Sequence, residues 1–465
     1  MARKEKLLLT EGPIAWQVIR FAMPLLFGNI FQQLYNTVDS VVVGNYIGKE
    51  ALGAVGSSGS LIHMLVNLFM GVSVGAGVVI ARYKGAGDHE GVKKAVHTNV
   101  AFGLAVSIVL TVVGILLTPV ILGWMGTPEE ILPNSIKYLR IYFMGISTNV
   151  MYNIGSSIYR AVGDSTRPLI FLIVSSIVNM VLDVVFIKYM HMGVEGVAIA
   201  TIIAQFTSCL LTFGTLMRVN DDYRVEPKRI RFHGEELKEI IRIGLPSGLQ
   251  NSIVSFSNVM VQTNINSFGD IAVAGCGAYS KVDGFALMPS GSFAMSVTTF
   301  VSQNIGAGKY ERAKKGGLFG IAAGMLSAQV MGVLIYFFAP SLIGVFNDDP
   351  RVIEYGTMMA RNIVFGYFLV AFSHGMGGML RGAGRAKAPM YIMVGFWCIL
   401  RITWMTVMVK LTNDIRVVFW AYPITWTCST IALLLYYKKT DWLHTYKAKN
   451  MENGERSGVE EQPAG

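Results

Sequence analysis

Residues 19–44 read IRFAMPLLFGNIFQQLYNTVDSVVVG. The stretch is long and apolar enough to cross a bilayer as one helix, which needs about 20 residues. It nevertheless carries four polar residues in steps of 3, 4 and 3, namely Asn29, Gln32, Asn36 and Asp39. That spacing places all four on one helical face. A polar stripe that ends in a carboxylate does not face lipid, so we expect it to face other protein or a water-filled cavity.

Composition assigns the whole chain to the integral membrane proteins. Of its 465 residues, 52% are hydrophobic and 15% are charged, whereas a soluble protein has about 25% charged residues. The net charge of +10 does not indicate nucleic acid as a partner. Lysine and arginine fall in alternate loops, which is the pattern of membrane topology, and no zinc-finger or RNA-binding signature is present.

Hydrophobic segments predict an all-α protein with twelve transmembrane helices in two sets of six. The predicted spans are 14–44, 52–81, 95–123, 131–159, 167–188, 193–217, 237–266, 271–301, 313–338, 351–380, 388–410 and 416–437. The loop charges place both termini in the cytoplasm, so we expect a multi-pass protein of the cell (inner) membrane. The predicted domains are a cytoplasmic N-terminus (1–13), a first lobe (14–217), a cytoplasmic linker (218–236), a second lobe (237–439) and a disordered cytoplasmic tail (440–465).

The two halves of the chain repeat each other. Pro24 matches Pro246 at an offset of 222, and Gly85-Ala86-Gly87 matches residues 306–308 at an offset of 221. Each half has an even number of predicted helices, so both halves insert in the same orientation. Two parallel repeats, related by a pseudo-twofold axis along the membrane normal, are typical of transporters with a substrate path between the halves. A duplicated channel or membrane enzyme remains an alternative at this point.

Several motifs resemble one transporter family. They are YNTVDSVVVGNYIG, ARYKGAGD and IYRAVGDSTRP in the first half, and SQNIGAGK and MLRGAGRAKAP in the second. With these motifs, the chain resembles the multidrug and toxic compound extrusion (MATE) family. The resemblance extends from about residue 14 to 439. The resemblance implies two six-helix lobes forming a V and export of organic cations in exchange for protons or sodium ions. Its proton-coupled branch implies one cavity in the first lobe lined by Tyr35, Asn36, Asp39, Asn179, Asp183 and Thr201.

The residues themselves also point to the two first-lobe acids. Asn179 and Asp183 are four residues apart and share a helical face. Burial and a neighbouring negative charge both favour the protonated form of a carboxyl, as a proton carrier requires. The repeat places Val261 opposite Asp39 and Trp404 opposite Asp183, so the fold does not require acids there. We therefore expect the pair to carry the coupling proton. Sodium at the same pair, or a purely structural role in helix packing, is the alternative.

A second polar set is predicted to line the substrate cavity. Its members share membrane depth and a polar or charged side chain, and they are Asn29, Gln32, Asn251, Ser255, Asn258, Gln262, Lys281, Asp283 and Arg361. An ion pair between Asp283 and Arg361 is an equally good interpretation of those two residues. The sodium-coupled branch of the MATE family has acids in helices seven and ten. The only acid of this chain in predicted helix seven is Glu239, in its first turn at the inner end, and the only one in helix ten is Glu354, near the outer end. The absence of acids deeper in these helices favours proton coupling.

Enzyme chemistry finds no support in the sequence. GAGKYERAKK lacks the P-loop spacing, and no HExxH or CxxC occurs, so we expect no nucleotide, metal or other cofactor. Energy then comes from a proton or sodium gradient. We expect a monomeric antiporter that exports small organic cations or amphipathic compounds from the cytoplasm. The alternatives are a sodium-coupled multidrug antiporter, a flippase for lipid-linked precursors with a related fold, and an ion channel.

Overall fold

The structure, a computed structural model, describes residues 8–46, 69–124, 127 and 129–443, with side chains apart from those of residues 39–46 and 124. Every regular element in this described part is helical, and it contains no strand. The all-α prediction is confirmed. The Asp39 side chain, the predicted second span before residue 69 and the tail beyond residue 443 lie outside the described residues.

The helices follow the hydrophobic segments of the sequence. They are α1 (Ile14–Tyr46), α2 (described over 69–86), α3 (His89–Trp124), α4 (Leu132–Ala161), α5 (Thr166–Val184), α6 (Val194–Leu216), α7 (Gly234–Asn266), α8 (Asp270–Ala286), α9 (Met288–Gly306), α10 (Tyr310–Gly344), α11 (Pro350–Ile363), α12 (Tyr367–Gly382), α13 (Lys387–Val394), α14 (Arg401–Thr412) and α15 (Arg416–Lys439). Five-residue and six-residue π-helical turns follow α5 and α13, at Val185–Tyr189 and Gly395–Leu400.

Nine helical stretches in the described part of the chain are long and apolar enough to cross a membrane. Three of them join two helices end to end, and they run over Asp270–Gly306, Pro350–Gly382 and Lys387–Thr412. The helices α2, α4 and α7 occupy the other predicted spans without meeting that apolar criterion. Their polar and small residues pack against neighbouring helices, as described below. The count of twelve crossings stays a prediction, as do the lobe boundaries.

The backbone reproduces the sequence repeat. Helices α1 and α7 each have 33 residues and an internal proline, and α3 and α10 have 36 and 35. The positive φ angles recur as well, at 72° and 69° for Gly87 and Gly308 and at 92° and 83° for Gly163 and Gly384. Glycine suits these turns because it has no Cβ to clash in the left-handed region. The repeated glycines therefore fix equivalent helix ends in the two halves.

The chain forms two compact units. The N unit comprises Arg20–Ile80 and Asp88–Phe256, and the C unit comprises Met1–Ile19, Ala81–Gly87 and Ser257–Gly465. In the N unit, α4 is the central helix because it packs against both α3 and α6. Gly145 and Gly155 of α4 lie directly against side chains of α6. Small residues at such contacts let helices approach closely where lipid supplies no hydrophobic driving force.

The C unit is built around α9 and α12, which pack against each other and against α10. Its buried apolar cluster includes Val297 and Val301 of α9 and Met376, Met379 and Leu380 of α12. Helix α15, near the end of the described chain, packs against α12 and α14. Helix α8 packs mainly against α11 through Gly275 and Gly356, where each glycine faces backbone atoms of the other helix.

The segment before α1 is bound to the C unit. Leu9 N donates to Gln303 Oε1 at 3.0 Å, and Asn304 Nδ2 donates to Leu9 O at 3.2 Å. The Arg312 guanidinium donates to the carbonyl oxygens of Glu11 and Gly12, each at 2.8 Å. These bonds satisfy main-chain groups that precede the helix and have no partner within it. The start of α1 is thereby fixed to the ends of α9 and α10.

Glycine pairs bring α2 against two other helices. In the N unit, a Cβ added at Gly75 would lie 2.6 Å from the Cα of Gly244 in α7, and Gly71 faces Gly248 still more closely. In the C unit, Gly85 faces the Gln303 carbonyl of α9, and Gly306 faces the Arg82 carbonyl of α2 in return. The second contact is reciprocal because the residues involved are repeat partners, 82 with 303 and 85 with 306. Backbone meets backbone at both places.

We predict that Gly75→Ala lowers the thermal stability of the detergent-purified protein. A glycine-to-alanine change inside a helix normally stabilises it by roughly 1 kcal/mol, but here the methyl group would meet backbone that cannot move aside, and overpacking costs about 1–3 kcal/mol. Gly214→Ala in α6 is the matched control, because nothing lies within 4 Å of its added Cβ. Melting temperatures of the two variants should move apart. Equal values would show that α2 and α7 can separate freely.

Candidate functional site

Helix α1 exposes two opposite faces. Phe27, Phe31 and Leu34 are exposed on one of them. Asn29 and Gln32 are also exposed, and at about 100° per residue they lie on the other side of the helix. The side between these faces packs against α5, where Gly28 contacts Leu169 and Leu172. An apolar face suits lipid and a polar face suits water, so α1 has the surface of a helix between the bilayer and an aqueous cavity.

The predicted first-lobe site residues lie on three helices, α1, α5 and α6. Asp183 and Asn179 of α5 are 0% and 1% exposed, and Thr201 of α6 is 5% exposed. Helices α5 and α6 pack side by side. On α1, Tyr35 and Asn36 are half-buried. Asp39 belongs to α1 by its backbone, and its side chain lies outside the described residues.

Asn179 and Thr201 in this part of the N unit keep hydrogen-bonding capacity that no described residue uses. The Thr201 hydroxyl donates to Val197 O at 3.0 Å, which leaves the oxygen lone pairs of Thr201 available. Among the described residues, neither Oδ1 nor Nδ2 of Asn179 has a hydrogen-bond partner. Buried side-chain amides are rarely left so, and a bound water or ion is one usual explanation. The chemistry of these groups, with the Asp183 carboxylate one turn away, suits a proton, a water molecule or a small cation.

A π-helical turn begins just after Asp183. Met190 N donates to Val185 O five residues back, at 3.0 Å, and His191 follows with a φ of 52°. Such turns widen a helix locally and occur often at functional sites. The sequence gives no signal for this turn. It ends the regular part of α5 one residue beyond Asp183, at Val184.

The repeat partners of the acid site have different chemistry. Val261, the repeat equivalent of Asp39, is buried. Trp404, the repeat equivalent of Asp183, donates its Nε1 proton to Val417 O at 3.0 Å. Tyr422 is the repeat equivalent of Thr201, at the same offset of 221. Its ring lies 4.5 Å from the guanidinium carbon of Arg401, which is 2% exposed. The second half of the repeat thus has a buried cation on an aromatic ring where the first half has a carboxylate.

Asp283 in the C unit belongs to a tyrosine cluster. Its Oδ1 accepts a hydrogen bond of 2.5 Å from the hydroxyl of Tyr367 and one of 3.3 Å from that of Tyr279. The two hydroxyl oxygens are themselves 2.9 Å apart. Sequence analysis missed both tyrosines. The spacing of Tyr279 and Asp283 on one face of α8 was an available signal, whereas nothing near Tyr367 indicated a partner 84 residues away.

The ion pair considered between Asp283 and Arg361 is not formed. Arg361 is exposed, and its guanidinium carbon lies 5.5 Å from the ring centre of Tyr336 in α10. Lys281 is also exposed and lies 5.3 Å from the ring centre of Phe346. Both cations of the predicted cavity set therefore lie over aromatic rings of α10 or of the segment that follows it. The tyrosine hydroxyls supply the donors that the arginine was expected to supply.

The predicted stripe of α7 is polar and accessible. Asn251, Asn258 and Gln262 are exposed, and Ser255 is half-buried. Ser255 donates to Asn251 O at 3.0 Å, and Gln262 Nε2 donates to Asn266 Oδ1 at 2.9 Å. These bonds are local to the helix. The outward-pointing amides of this stripe remain accessible to solvent.

Solved structures share this helical arrangement. An outward-facing conformation of a multidrug resistance MATE family transporter of the MOP superfamily matches with a TM-score of 0.88, covering 94% of this chain and 97% of that one at 23% sequence identity. At that identity the likeness concerns the fold.

Sequence comparison then gives the family. The family model MatE matches residues 24–185 and again 246–404, once in each half of the repeat. The chain belongs to the MATE family, as its motifs predicted, and it is a transporter and not an enzyme. It is 28% identical to the probable multidrug resistance protein YpnP of Bacillus subtilis, over 83% of this chain and 87% of YpnP. It is 27% identical to the probable multidrug resistance protein NorM of Thermotoga maritima, over 82% and 83% of the two chains.

The tyrosine cluster predicts that Tyr367 and Asp283 stabilise the C unit jointly. Tyr367→Phe removes a hydrogen bond to a carboxylate, a loss of about 1.5–3 kcal/mol. In a double-mutant cycle with Asp283→Ala, which removes the acceptor oxygen, the two losses should not add, because each substitution removes one partner of the same bond. Thermal melts of the single and double variants measure this. Tyr355→Phe is the control, since no hydrogen bond of its hydroxyl occurs among the described residues, and additive losses at Tyr367 and Asp283 would contradict the bond.

Proposed function

We propose that this transporter is an antiporter that exports small organic, mainly cationic, compounds from the cytoplasm in exchange for entering protons. Membership of the MATE family supports export of small organic compounds. The alternation of basic loops supports a cell-membrane location with both termini in the cytoplasm. A monomer is sufficient for this activity, because each chain contains both halves of the repeat.

The proposal of proton coupling rests on one observation, the burial of Asp183 one helical turn from Asn179. A fully buried carboxyl in a low-dielectric environment gains stability when it is protonated, and it loses that advantage when water reaches it. Gain and loss of the proton can therefore follow the opening and closing of a cavity. Asp39 lies on the stripe of α1 in which Asn29 and Gln32 are exposed and Asn36 is half-buried, and we propose that it shares the proton with Asp183.

Binding of the proton would change the charge of the N unit. With both acids ionised, a cationic compound is held by carboxylates and by the accessible amides of α1. When protons arrive, that attraction is lost, and the compound leaves on the side where the cavity is open. A switch in the charge of one site thus biases the equilibrium between two conformations. Sodium ions at the same carboxylates would act in the same way.

A second candidate places the coupling in the C unit. It rests on Asp283, whose Oδ1 already accepts two tyrosine hydroxyl protons. Both hydroxyls already bind this oxygen, so a proton or sodium ion would have to compete with them for it. For that reason we rank Asp283 behind Asp183 as the coupling residue. The following experiment distinguishes the two.

We expect proton-driven efflux from reconstituted vesicles to be abolished by Asp39→Asn and by Asp183→Asn. Efflux of a fluorescent organic cation is followed after imposing a proton gradient and, separately, a sodium gradient. Asp270→Asn, at the exposed start of α8, is the matched control and should transport normally. If Asp283→Asn stops efflux while Asp183→Asn does not, the coupling lies in the C unit. Efflux driven by sodium alone would refute proton coupling.

A further inference from the structure

Arg361 lies on a surface that is otherwise apolar. Its guanidinium stacks over Tyr336 of α10, and the Tyr336 ring lies 5.0 Å from Phe365 and 5.6 Å from Phe337. Phe337 and Phe365 are 70% and 58% exposed. Side chains this large and apolar are exposed in a membrane protein where they meet lipid. Arg361 therefore stands at the edge of the lipid-facing surface formed by α10 and α11.

No acidic side chain in the described part of the chain neutralises Arg361. Its recorded neighbour is the Tyr336 ring, whereas Arg351, ten residues earlier on the same helix, pairs with Asp349 at 3.2 Å. A guanidinium stays charged at any physiological pH, and an unpaired charge in hydrocarbon is unfavourable. Arg361 therefore needs an anion or water as its partner at the membrane.

The position of Arg361 along its helix indicates where that anion lies. The stretch Pro350–Gly382 has 33 residues, about 50 Å of helix, against a hydrocarbon core of about 30 Å. If the core is centred on it, the outer boundary is about 10 Å from Pro350. Arg361 is 361 − 350 = 11 residues along, or about 16 Å, and so about 6 Å inside the boundary. An extended arginine reaches roughly that far, and Tyr336 has the place of an interfacial aromatic residue.

We propose that the outer face of α10 and α11 binds an anionic phospholipid through its phosphate. The Arg361 guanidinium donates two parallel hydrogen bonds to the phosphate oxygens, and Phe337 and Phe365 contact the acyl chain. The lipid sits in the leaflet next to the connection between α10 and α11, which the sequence predicts to be the outer one. The site is separate from the transport function proposed above, and it is an alternative to the role in the substrate cavity predicted for Arg361.

The test measures how the lipid changes the melting temperature of the purified protein. Phosphatidylglycerol is titrated into the detergent-solubilised protein, with phosphatidylcholine as the neutral comparison. We expect phosphatidylglycerol alone to raise the melting temperature. Arg361→Gln should raise the half-maximal lipid concentration about tenfold, the loss of one charge-assisted contact. The half-maximal lipid concentration of Arg361→Lys should lie between those of the wild type and Arg361→Gln, because lysine keeps the positive charge but lacks the two parallel N–H donors of the guanidinium.

Lys281→Gln is the matched control, because Lys281 is likewise exposed and placed over an aromatic ring. It should respond to phosphatidylglycerol as the wild type does. An unchanged response of Arg361→Gln, or an equal loss in Lys281→Gln, overturns the proposal. Binding of a fluorescent organic cation is measured in phosphatidylcholine nanodiscs in parallel. Unchanged affinity in Arg361→Gln supports the lipid site, whereas reduced affinity with an intact lipid response assigns Arg361 to the substrate cavity instead.

Discussion

The contact between α2 and α9 at Gly85 and Gly306 is the constraint on which the arrangement of helices depends. In a bilayer, lipid chains compete equally for apolar side chains, so helices associate through close packing of small residues. Here each glycine meets a main-chain carbonyl of the other helix, the closest packing that two helices allow. Earlier turns of α2 meet α7 in the same way at Gly71 and Gly75. Helix α2 consequently contributes to both compact units, with residues 81–87 in the C unit.

Polar groups are distributed unequally over a repeated backbone. The two halves share helix lengths, internal prolines and left-handed glycines, yet Asp183 of the first half is replaced by Trp404 in the second. The second half has its own carboxylate, Asp283, on a different helix, and this one accepts two tyrosine hydroxyls. Duplication supplied two similar scaffolds. The chemistry of each was then set by a few side chains, because a polar group inside a membrane protein is retained only where something stabilises it.

The sequence predicted what depends on spacing along one helix. Apolar length marks the helices, steps of three and four mark a face, and the repeat identifies equivalent turns; these signals led to Asn179 and Asp183 and to the glycines at Gly87 and Gly308. Contacts between distant segments carry no comparable signal. The bond from Tyr367 to Asp283 depends on the register of α8 against α12, and the π turn after Asp183 depends on how α5 meets its neighbours. The ion pair considered between Asp283 and Arg361 was wrong for that reason.

The hydrogen bonds that fix the start of α1 also set an order of assembly. Helix α1 is made before α9 and α10, but Leu9 and Glu11 bind Gln303 and Arg312, which are 294 and 301 residues further along the chain. At ordinary rates of synthesis, of about 5–20 residues per second, their partners appear some 15 to 60 seconds later. Until then the main-chain groups before α1 have water as their partner. The start of α1 is therefore fully anchored only after α10 has been made, and a chain truncated before α9 lacks the residues that hold it.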